Sequence, residues 1–392
     1  MEHYLDNSAT TKPMEAALEA MNRAALVWGN PSSVHSLGQS AAALLKESRL
    51  TIAKTLGLQR FSKDRIIFTA SGTEADNIAI LGCAHSKNRN KEHPGTVIIS
   101  EGEHPAVDLP ALQLEKEGYC LIKVPTKGGV LDLGFLEKAV NEAEYPVVVA
   151  SFMLVNNETG ALYDVKSAAR IVKRKYPDAL VHCDAVQGYM KVKFTPASLG
   201  VDALTVSAHK IHSLRGAAAL YISEETIKRK NIVPVMPGGG QEGGFRSGTE
   251  NLVSIAAFAA AADNMYSNFD TYSEKVSGLR EYLEEKLSEC PDVRINRPEE
   301  KYIPHICNIT VKGIRSETML NSLSAKGVYV SAGSACAANS KKKSAALQAF
   351  GITPDDSDSS LRISMSFANT TDDIDALADG LREGIAGLQK KR

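Results

Sequence analysis

The sequence of 392 residues lacks an excess of either charge. It contains 45 Lys and Arg and 46 Asp and Glu, which gives a formal net charge of −1. Proteins that bind nucleic acid or anionic membranes electrostatically need a basic surface, so we expect neither a direct nucleic-acid partner nor a membrane partner. The chain also lacks the run of about 18 apolar residues that spans a bilayer. Its N-terminus, MEHYLDNSATT, lacks the basic and then apolar segments of a signal peptide. We therefore predict a cytoplasmic protein.

Cysteine is sparse, and no two cysteines form the C-x-x-C pair that a metal or redox site would use. The six are Cys83, Cys120, Cys183, Cys290, Cys307 and Cys336. Their wide spacing in a chain of this length favours reduced thiols over a disulfide framework. His182 and Cys183 are metal-ligand types, but neighbours on a strand point to opposite faces and cannot easily converge on one ion. We predict no bound metal.

The first two thirds of the sequence alternate β-branched runs with amphipathic stretches. The runs lie at 65–70, 96–100, 120–125, 146–154, 179–184, 203–208 and 218–223. Helical patterns at 74–87 and 164–176 separate some of them. This alternation predicts an α/β fold in which crossover helices connect parallel strands. Ligands of such sheets collect at the carboxyl ends of the strands, where chemistry should be sought.

The pattern changes after an alanine-rich stretch at 254–262. A charged helix is predicted at about 271–289 and a final helix at 371–388, with strands at 305–311, 328–332 and 361–367 and a helix at 316–327 between them. We predict a large domain over 15–258 and a smaller α+β domain over 259–392, joined by the N-terminal segment 1–14. The glycine-rich segment 236–248 precedes the boundary and is either a linker or a loop whose backbone approaches a ligand.

The segment SGTEADN (71–77) follows the first predicted strand and opens a helix. Ser71 and Glu74 fit the S-x-x-E capping box, Gly72 would let an anion approach the free N–H groups, and Thr73 offers a hydroxyl. The helix start is therefore a candidate phosphate-binding site. The alternative is an ordinary capped helix, because caps of this kind are common. The segment does not match the G-x-x-x-x-G-K-[ST] loop of nucleoside triphosphatases.

Two later strand ends complete a candidate cofactor site. Asp184 ends the predicted strand 179–184, while Ser207, His209 and Lys210 follow the strand 203–208. A lysine for a Schiff base, a carboxylate for a pyridine nitrogen and N–H groups for a phosphate are what pyridoxal 5'-phosphate (PLP) requires. The alternative is that Asp184 caps a turn and Lys210 lies on the surface.

The loop SAGSACAANSKKKS (331–344) holds Cys336 among small residues, followed by three lysines. A thiol in such a loop is expected to be exposed, and neighbouring cations favour its thiolate. Of the six cysteines, Cys336 is the one that we predict to be reactive. The run Lys341–Lys343 is otherwise read as a solvated patch.

Taken together, these features resemble those of the cysteine desulfurases, a branch of the class V aminotransferase group of fold-type I PLP enzymes. The matching motifs are YLDNSATT (4–11), GNPSSVH (29–35), SGTEADN (71–77), EH (103–104), VNNETG (155–160), HCDAVQ (182–187), SAHK (207–210), GGGQEGGFRSGT (238–249), SAGSAC (331–336) and LRIS (361–364). The resemblance implies a large PLP-binding domain, whose mostly parallel mixed sheet is flanked by helices, and a smaller C-terminal α+β domain.

The resemblance also implies roles for the cofactor-site residues. Lys210 would form the Schiff base, His104 would stack on the pyridine ring and assist proton transfer, and Asp184 would pair with the ring nitrogen. Asn157 and Gln187 would contact the region of the ring's 3-oxygen. The implied phosphate ligands are Gly72, Thr73, Ser207 and His209.

Four further residues are assigned by the same resemblance. Arg362 would grip the substrate carboxylate, a bidentate task suited to a guanidinium group, and Asn30 would border the substrate pocket. Cys336 would be the nucleophile on a mobile loop. Thr249 would reach the phosphate of a partner subunit, which implies a homodimer with shared active sites.

The implied reaction converts L-cysteine to L-alanine and leaves the sulfur as a persulfide on Cys336. The SAGSAC context resembles the longer-loop branch, whose sulfur acceptors serve iron–sulfur cluster assembly or tRNA thiolation. Residues 213–215 and Lys341–Lys343 depart from the family pattern, and the lysine run is a candidate docking patch for an acidic acceptor protein. The alternatives are a selenocysteine lyase, a class V aminotransferase, or a non-catalytic interaction protein that retains the fold.

Overall fold

The computed structural model describes residues 2–58, 65–87, 94–332 and 344–389. The strands are β1 His3–Tyr4, β2 Ile66–Thr69, β3 Thr96–Ser100, β4 Cys120–Val124, β5 Val147–Met153, β6 Leu180–Asp184, β7 Ala203–Ser207, β8 Ala218–Ile222, β9 Val293–Ile295, β10 Ile306–Val311, β11 Val328–Tyr329, β12 Ser331–Ala332 and β13 Ser360–Ser364.

The α-helices are α1 Glu15–Ala25, α2 Ser36–Thr55, α3 Gly72–Lys87, α4 Pro105–Lys116, α5 Leu133–Glu142, α6 Val165–Lys175, α7 Pro196–Leu199, α8 Glu224–Lys228, α9 Leu252–Ser267, α10 Phe269–Ser288, α11 Ser316–Ser324, α12 Ala345–Phe350, α13 Pro354–Asp358 and α14 Thr371–Gln389. Short 3₁₀ turns lie at Lys127–Gly129, Ala208–Lys210 and Glu242–Gly244. None of the helices in the described ranges is long and apolar enough to cross a membrane.

The central sheet has the strand order β2-β8-β7-β6-β5-β3-β4 within the described residues. Strands β3 to β7 pair in parallel, whereas β8 is antiparallel to both of its neighbours, β7 and β2. Strand β2 therefore runs in the same direction as β3 to β7, and the carboxyl ends of these six strands meet at one edge. The predicted α/β fold with a mostly parallel mixed sheet is confirmed.

Strand β8 is the antiparallel member of this mixed sheet, although the alternating sequence pattern by itself predicts parallel strands. The connection from β7 to β8, residues 208–217, contains the turn Ala208–Lys210 and no crossover helix. A parallel partner would need a crossover of about a dozen residues or more. The short connection therefore reverses the chain, and it places Lys210 directly after the end of β7.

A second sheet is antiparallel, with the strand order β12-β13-β10-β9. The predicted single strand at 328–332 is divided in two, because its halves pair with different partners. Val328–Tyr329 pairs in parallel with β1, whereas Ser331–Ala332 pairs with β13. The N-terminus is thereby joined to the C-terminal part of the chain.

Buried hydrophobic residues pack on both faces of the central sheet and, separately, against the second sheet. Helix α9 lies against α1 and α2, and its Phe258 and Ala262 belong to the core that contains the central strands. The following helix, α10, contributes Leu283 to a second core, which it shares with β10, β13, α14 and Leu5 of the N-terminal segment. The domain division between residues 258 and 259 stays a prediction.

The glycine-rich segment 236–248 is a largely exposed loop that is anchored by a buried carboxylate. Glu242 is buried, and its two carboxylate oxygens accept hydrogen bonds from Arg49 Nη1 and Nη2 at 2.6 and 2.8 Å. The same carboxylate accepts a bond of 2.9 Å from the backbone N–H of Phe68 in β2. Glu242 adopts a φ of 51°, an unfavourable value for a residue with a side chain. The buried ion pair therefore holds the backbone in this conformation.

We predict that Glu242→Ala destabilises the protein by about 3–5 kcal/mol, because it leaves the Arg49 guanidinium buried without its carboxylate. Equilibrium unfolding in urea measures the effect. The double variant Glu242→Ala/Arg49→Met removes both charges and should be less destabilised than Glu242→Ala alone. As a control, Asp263→Ala breaks the exposed pair with Lys54 and should cost at most about 1 kcal/mol. Equal losses for the buried and exposed pairs would contradict this account.

Candidate active site

A cavity of about 380 Å³ lies at the edge where the parallel strands end. Its walls come from the segments after β2, β3, β5, β6 and β7, from the N-terminal segment and from β13 of the second sheet. The lining residues are Ser8, Ala9, Ser71, Gly72, Thr73, Asp76, His104, Ala106, Met153, Val155, Asn157, Asp184, Val186, Gln187, Ser207, His209, Lys210 and Arg362. The cavity thus brings together most of the predicted site residues.

The start of helix α3 forms one end of the cavity. Ser71 Oγ accepts a hydrogen bond from Glu74 N at 3.2 Å, as in the predicted capping box, while Glu74 Oε2 accepts from Ala70 N at 2.6 Å, one residue earlier than expected. A Cβ atom on Gly72 would lie 3.1 Å from the Val186 side chain. Glycine therefore keeps open the approach to the first N–H groups of the helix, which can bind an anion.

Lys210 and Asp184 lie at neighbouring strand ends in the same cavity. Lys210 Nζ donates hydrogen bonds to the carbonyl oxygens of Ser8 at 2.5 Å and Ala9 at 2.7 Å. Asp184 Oδ1 accepts from the backbone N–H of Val186 at 2.9 Å. Burial raises the pKa of Asp184 to about 6, although the Val186 hydrogen bond and the Lys210 charge favour its ionised form.

His104 is the N-cap residue of α4 and faces the cavity. Its Nδ1 accepts a hydrogen bond of 3.1 Å from Ala106 N, so the neutral ring carries its proton on Nε2. Burial lowers the pKa of His104 to about 4, and the charges of Lys210 and Arg362 lower it further. His104 is therefore a neutral imidazole at neutral pH.

Gln187 and Asn157 lie on the wall nearest the N-terminal segment and β13. Gln187 Nε2 donates to Ser8 O at 2.9 Å, and its Oε1 accepts from Lys191 Nζ at 2.8 Å. Asn157 O accepts a hydrogen bond from Arg362 Nη1 at 3.1 Å.

Lys191 was not among the predicted site residues. Burial lowers its pKa to about 7, with the charges of Lys210 and Arg362 acting in the same direction.

Arg362 extends from β13 into the cavity, and 4% of its side chain is exposed. Its Nη2 donates to Asp6 Oδ1 at 2.9 Å. Its Nε is buried and has no hydrogen-bond partner among the described residues. The guanidinium group is thus fixed in direction and retains a donor for a ligand.

Two buried carboxyl groups near the cavity were also missed by sequence reasoning. Asp76 Oδ1 is buried without a hydrogen-bond partner among the described residues, 3.5 Å from His182 Nε2. Burial and the nearby charge of Asp184 raise the pKa of Asp76 well above its usual value. The SGTEADN motif contains Asp76, but nothing in its spacing indicates that the side chain is buried.

Glu103 is the second buried carboxyl group and directly precedes His104. Its Oε1 accepts from Ser100 Oγ at 2.5 Å and from Met153 N at 2.7 Å. Burial raises the pKa of Glu103 to about 8, although both hydrogen bonds favour the ionised form. The buried acid therefore keeps its proton at neutral pH and links the ends of β3 and β5.

Some predicted residues lie elsewhere. Asn30 and Thr249 are exposed and do not line the cavity of their own chain. Cys336 and Lys341–Lys343 lie outside the described residues. Within the described ranges, no group of three or more His, Cys, Asp or Glu side chains is arranged to hold a metal ion.

The described cavity fits PLP in volume and in chemistry. Pockets for small ligands are commonly about 300–1,000 Å³, and this one has the helix start at Gly72 for a phosphate, the Lys210 amine for a Schiff base and the Asp184 carboxyl for a ring nitrogen. Ser207 and His209 line the cavity as well. His209 Nδ1 lies 3.2 Å from Thr10 Oγ1, and burial lowers its pKa to about 4.

Comparisons with known proteins agree with this geometry. The family model described as "Aminotransferase class-V" matches residues 3–377. A "Cysteine desulfurase IscS" of Dictyoglomus turgidum is 34% identical over 391 residues, 99% of this chain and 95% of that protein. A "NifS/IcsS protein homolog" of Lactobacillus delbrueckii subsp. bulgaricus is 35% identical over 95% of this chain and 94% of its own. A solved structure titled "NIFS-LIKE PROTEIN", at 32% identity, superposes with a TM-score of 0.89 over 98% of this chain and all of its own.

We predict that Glu103→Gln makes stability less dependent on pH. Between 4.5, the ordinary pKa of glutamic acid, and about 8, the folded state keeps the Glu103 proton while the unfolded chain loses it. The wild type therefore loses stability as the pH rises through this window, and the variant gains relative to it. Unfolding midpoints of cofactor-free protein at pH 5.5, 7 and 8 measure the difference. The exposed Glu115 on α4 is the control site for the same substitution, and a difference independent of pH at position 103 would contradict the assignment.

Proposed function

Because the chain belongs to the class V aminotransferase family, we propose that it is a PLP-dependent cysteine desulfurase that converts L-cysteine to L-alanine. Enzymes of this family depend on PLP, and relatives named cysteine desulfurase match nearly the whole chain. The observation that carries the proposal is the convergence of Lys210, Asp184, His104 and Arg362 on one cavity. Their chemistry matches that of an amino-acid substrate and its cofactor.

The residues that hold PLP divide by the part of the cofactor that they bind. Lys210 would hold PLP through a Schiff base, Asp184 would face the pyridine nitrogen, and His104 would stack on the ring. Asn157 and Gln187 would border the ring's 3-oxygen. The phosphate would be held by Gly72 and Thr73 at the start of α3, together with Ser207 and His209. When bound, PLP supplies an electron sink for the substrate carbon atoms.

The substrate is oriented by Arg362 and deprotonated by Lys210. The Arg362 guanidinium binds the cysteine carboxylate, for which its buried Nε provides a donor. The free amine of Lys210 would take the proton from the substrate Cα. The neutral His104 imidazole can pass a proton at Nε2, because its Nδ1 is occupied by the Ala106 N–H.

Sulfur transfer is assigned to Cys336. Its thiolate attacks the sulfur of the substrate, so that a sulfur–sulfur bond forms and the carbon–sulfur bond breaks. The electron pair of the broken bond stays with carbon, which is then protonated and leaves as alanine. The enzyme retains one added sulfur as a persulfide, ready for transfer to an acceptor protein.

A homodimer would complete the site. Asn30 and Thr249 lie outside their own cavity, and the segment around Asn30 exposes 76% of Trp28 and 89% of Val34. Apolar side chains exposed together commonly mark an interface. We place Thr249 at the partner's phosphate and Asn30 at the border of a substrate pocket.

The sulfur acceptor is a protein of iron–sulfur cluster assembly or tRNA thiolation, and the reaction takes place in the cytoplasm. Lys341–Lys343, close in sequence to Cys336, are assigned to docking an acidic surface of that acceptor.

The scaffold would also suit a selenocysteine lyase or a class V aminotransferase. A lyase would prefer selenocysteine by a large factor, and an aminotransferase would not need Cys336.

We predict that the purified protein shows the visible absorbance of a PLP Schiff base and releases alanine from cysteine. Lys210→Ala should lose both. Cys336→Ala should keep the absorbance and lose persulfide formation, measured by alkylation and mass spectrometry after addition of cysteine. Cys83→Ala, which changes a buried cysteine outside the cavity, is the matched control. If Cys336→Ala produced alanine and sulfide at the wild-type rate, the assigned nucleophile would be wrong.

We predict that Trp28→Glu converts the dimer to a monomer, since it places a charge in the proposed interface. Analytical ultracentrifugation measures the oligomeric state. Titration of the monomeric Trp28→Glu variant with PLP should show weaker binding than the wild type, because Thr249 of the partner subunit is then missing from the site. Phe135→Glu, on the exposed side of α5, serves as the control and should remain dimeric. A wild-type protein that sediments as a monomer with bound PLP would contradict the shared site.

A further inference from the structure

The glycine-rich loop reaches the start of helix α3 through an ion pair. Arg246 Nε donates to Glu74 Oε1 at 2.8 Å, and both side chains are largely buried, with 18% and 15% exposed. The other oxygen of Glu74 accepts the Ala70 N–H at 2.6 Å. Glu74 is thus fixed in the first turn of α3 with Arg246 against it.

The carboxylate of Glu74 poses an electrostatic problem for the site. An acidic residue in the first turn suits the positive end of the helix dipole, and it holds the capping hydrogen bond. The proposed PLP phosphate carries about two negative charges at neutral pH and would bind to the same turn. An unpaired Glu74 would therefore repel the ligand that this helix start is proposed to bind.

Other basic groups near this end of the cavity are less suited to offset the charge. His209 lines the cavity, but its pKa is lowered to about 4 by burial, so it is neutral. Arg215 influences His209, but it is exposed and its charge is screened by water. Arg246 is charged, largely shielded from solvent and in direct contact with Glu74.

The position of Arg246 is fixed by its loop. Glu242, four residues earlier, is anchored to Arg49 and β2 by the buried ion pair described above. Gln241 Oε1 accepts the Gly248 N–H at 2.9 Å, and Arg246 Nη1 donates to Gly248 O at 3.3 Å. The loop therefore holds the guanidinium group in place before any ligand binds.

We propose that Arg246 is a positioning residue that neutralises Glu74, so that the start of α3 can bind the phosphate of PLP. The inference rests on the proposed placement of the phosphate at Gly72 and Thr73. It assigns a role to the glycine-rich loop within its own subunit, in addition to the presentation of Thr249 to a partner.

A double-mutant cycle tests the proposal, with PLP and pyridoxal as ligands. Pyridoxal can form the same Schiff base with Lys210 but has no phosphate. The cofactor-free protein is titrated with each ligand, and the absorbance of the bound Schiff base gives the dissociation constant. We expect Arg246→Gln to weaken PLP binding about tenfold, which corresponds to about 1.4 kcal/mol, and to leave pyridoxal binding within about twofold.

The Glu74→Gln change should rescue the loss. Glutamine keeps an oxygen for the Ala70 N–H but removes the negative charge, so Glu74→Gln/Arg246→Gln should bind PLP within about threefold of Glu74→Gln alone. Arg229→Gln, one residue after the end of α8, breaks two exposed ion pairs; it is the matched control and should change neither constant. Thermal unfolding of each cofactor-free variant shows whether it is folded.

Two results would overturn the proposal. The first is an equal loss of PLP and pyridoxal binding in Arg246→Gln, which would mean that the arginine only maintains the fold. The second is a double variant that binds PLP no better than Arg246→Gln. Neither measurement uses cysteine. A protein that passes this test but produces no alanine would refute the proposed desulfurase activity and leave the role of Arg246 intact.

Discussion

The contact between Lys210 and the carbonyl oxygens of Ser8 and Ala9 determines how the parts of the chain meet at the site. The lysine follows β7 of the central sheet, whereas the two carbonyls belong to the N-terminal segment. Two residues before Ser8, the Asp6 carboxylate binds Arg362 of the second sheet. A short stretch of chain therefore fixes the distance between the amine proposed to bind the cofactor and the guanidinium proposed to bind the substrate. Displacing this stretch would separate two groups that have to act on one molecule.

Desolvation determines the charge state of most ionisable groups around the cavity. Burial raises the pKa of Asp76, Glu103 and Asp184 and lowers that of His104 and His209. Acids that are fully buried without a cation in contact keep their protons, as Glu103 does. The Val186 N–H and the Lys210 charge stabilise the carboxylate of Asp184 and limit the rise in its pKa. Such a partly stabilised acid is suited to share a proton with a pyridine nitrogen.

The sequence predicted the strands of the central sheet well, because each is a short apolar run with clear ends, but it did not predict β1 or β9. It did not predict the direction of β8, which depends on the length of the connection from β7. Nor did it predict that 328–332 would pair with two partners, since pairing depends on distant segments. The motifs of the family identified most of the predicted residues that line the cavity, but no role was predicted for Asp76 and Glu103, which lie within the motifs, or for Lys191. What distinguishes these three residues is burial, which spacing along the chain does not reveal.

Lys191 shows that sequence motifs do not reveal every residue near such a site. The residue before it, Met190, has a backbone φ of 60°, an unfavourable value for a residue other than glycine. That backbone conformation accompanies a hydrogen bond from Lys191 Nζ to Gln187, which also binds Ser8.

The near-zero net charge of the whole chain does not show how charges are distributed inside the cavity. Lys210 and Arg362 line it, so two cations face the cavity although the chain as a whole is nearly neutral. Both expected ligands, a phosphate ester and an amino-acid carboxylate, are anions that these two cations would attract.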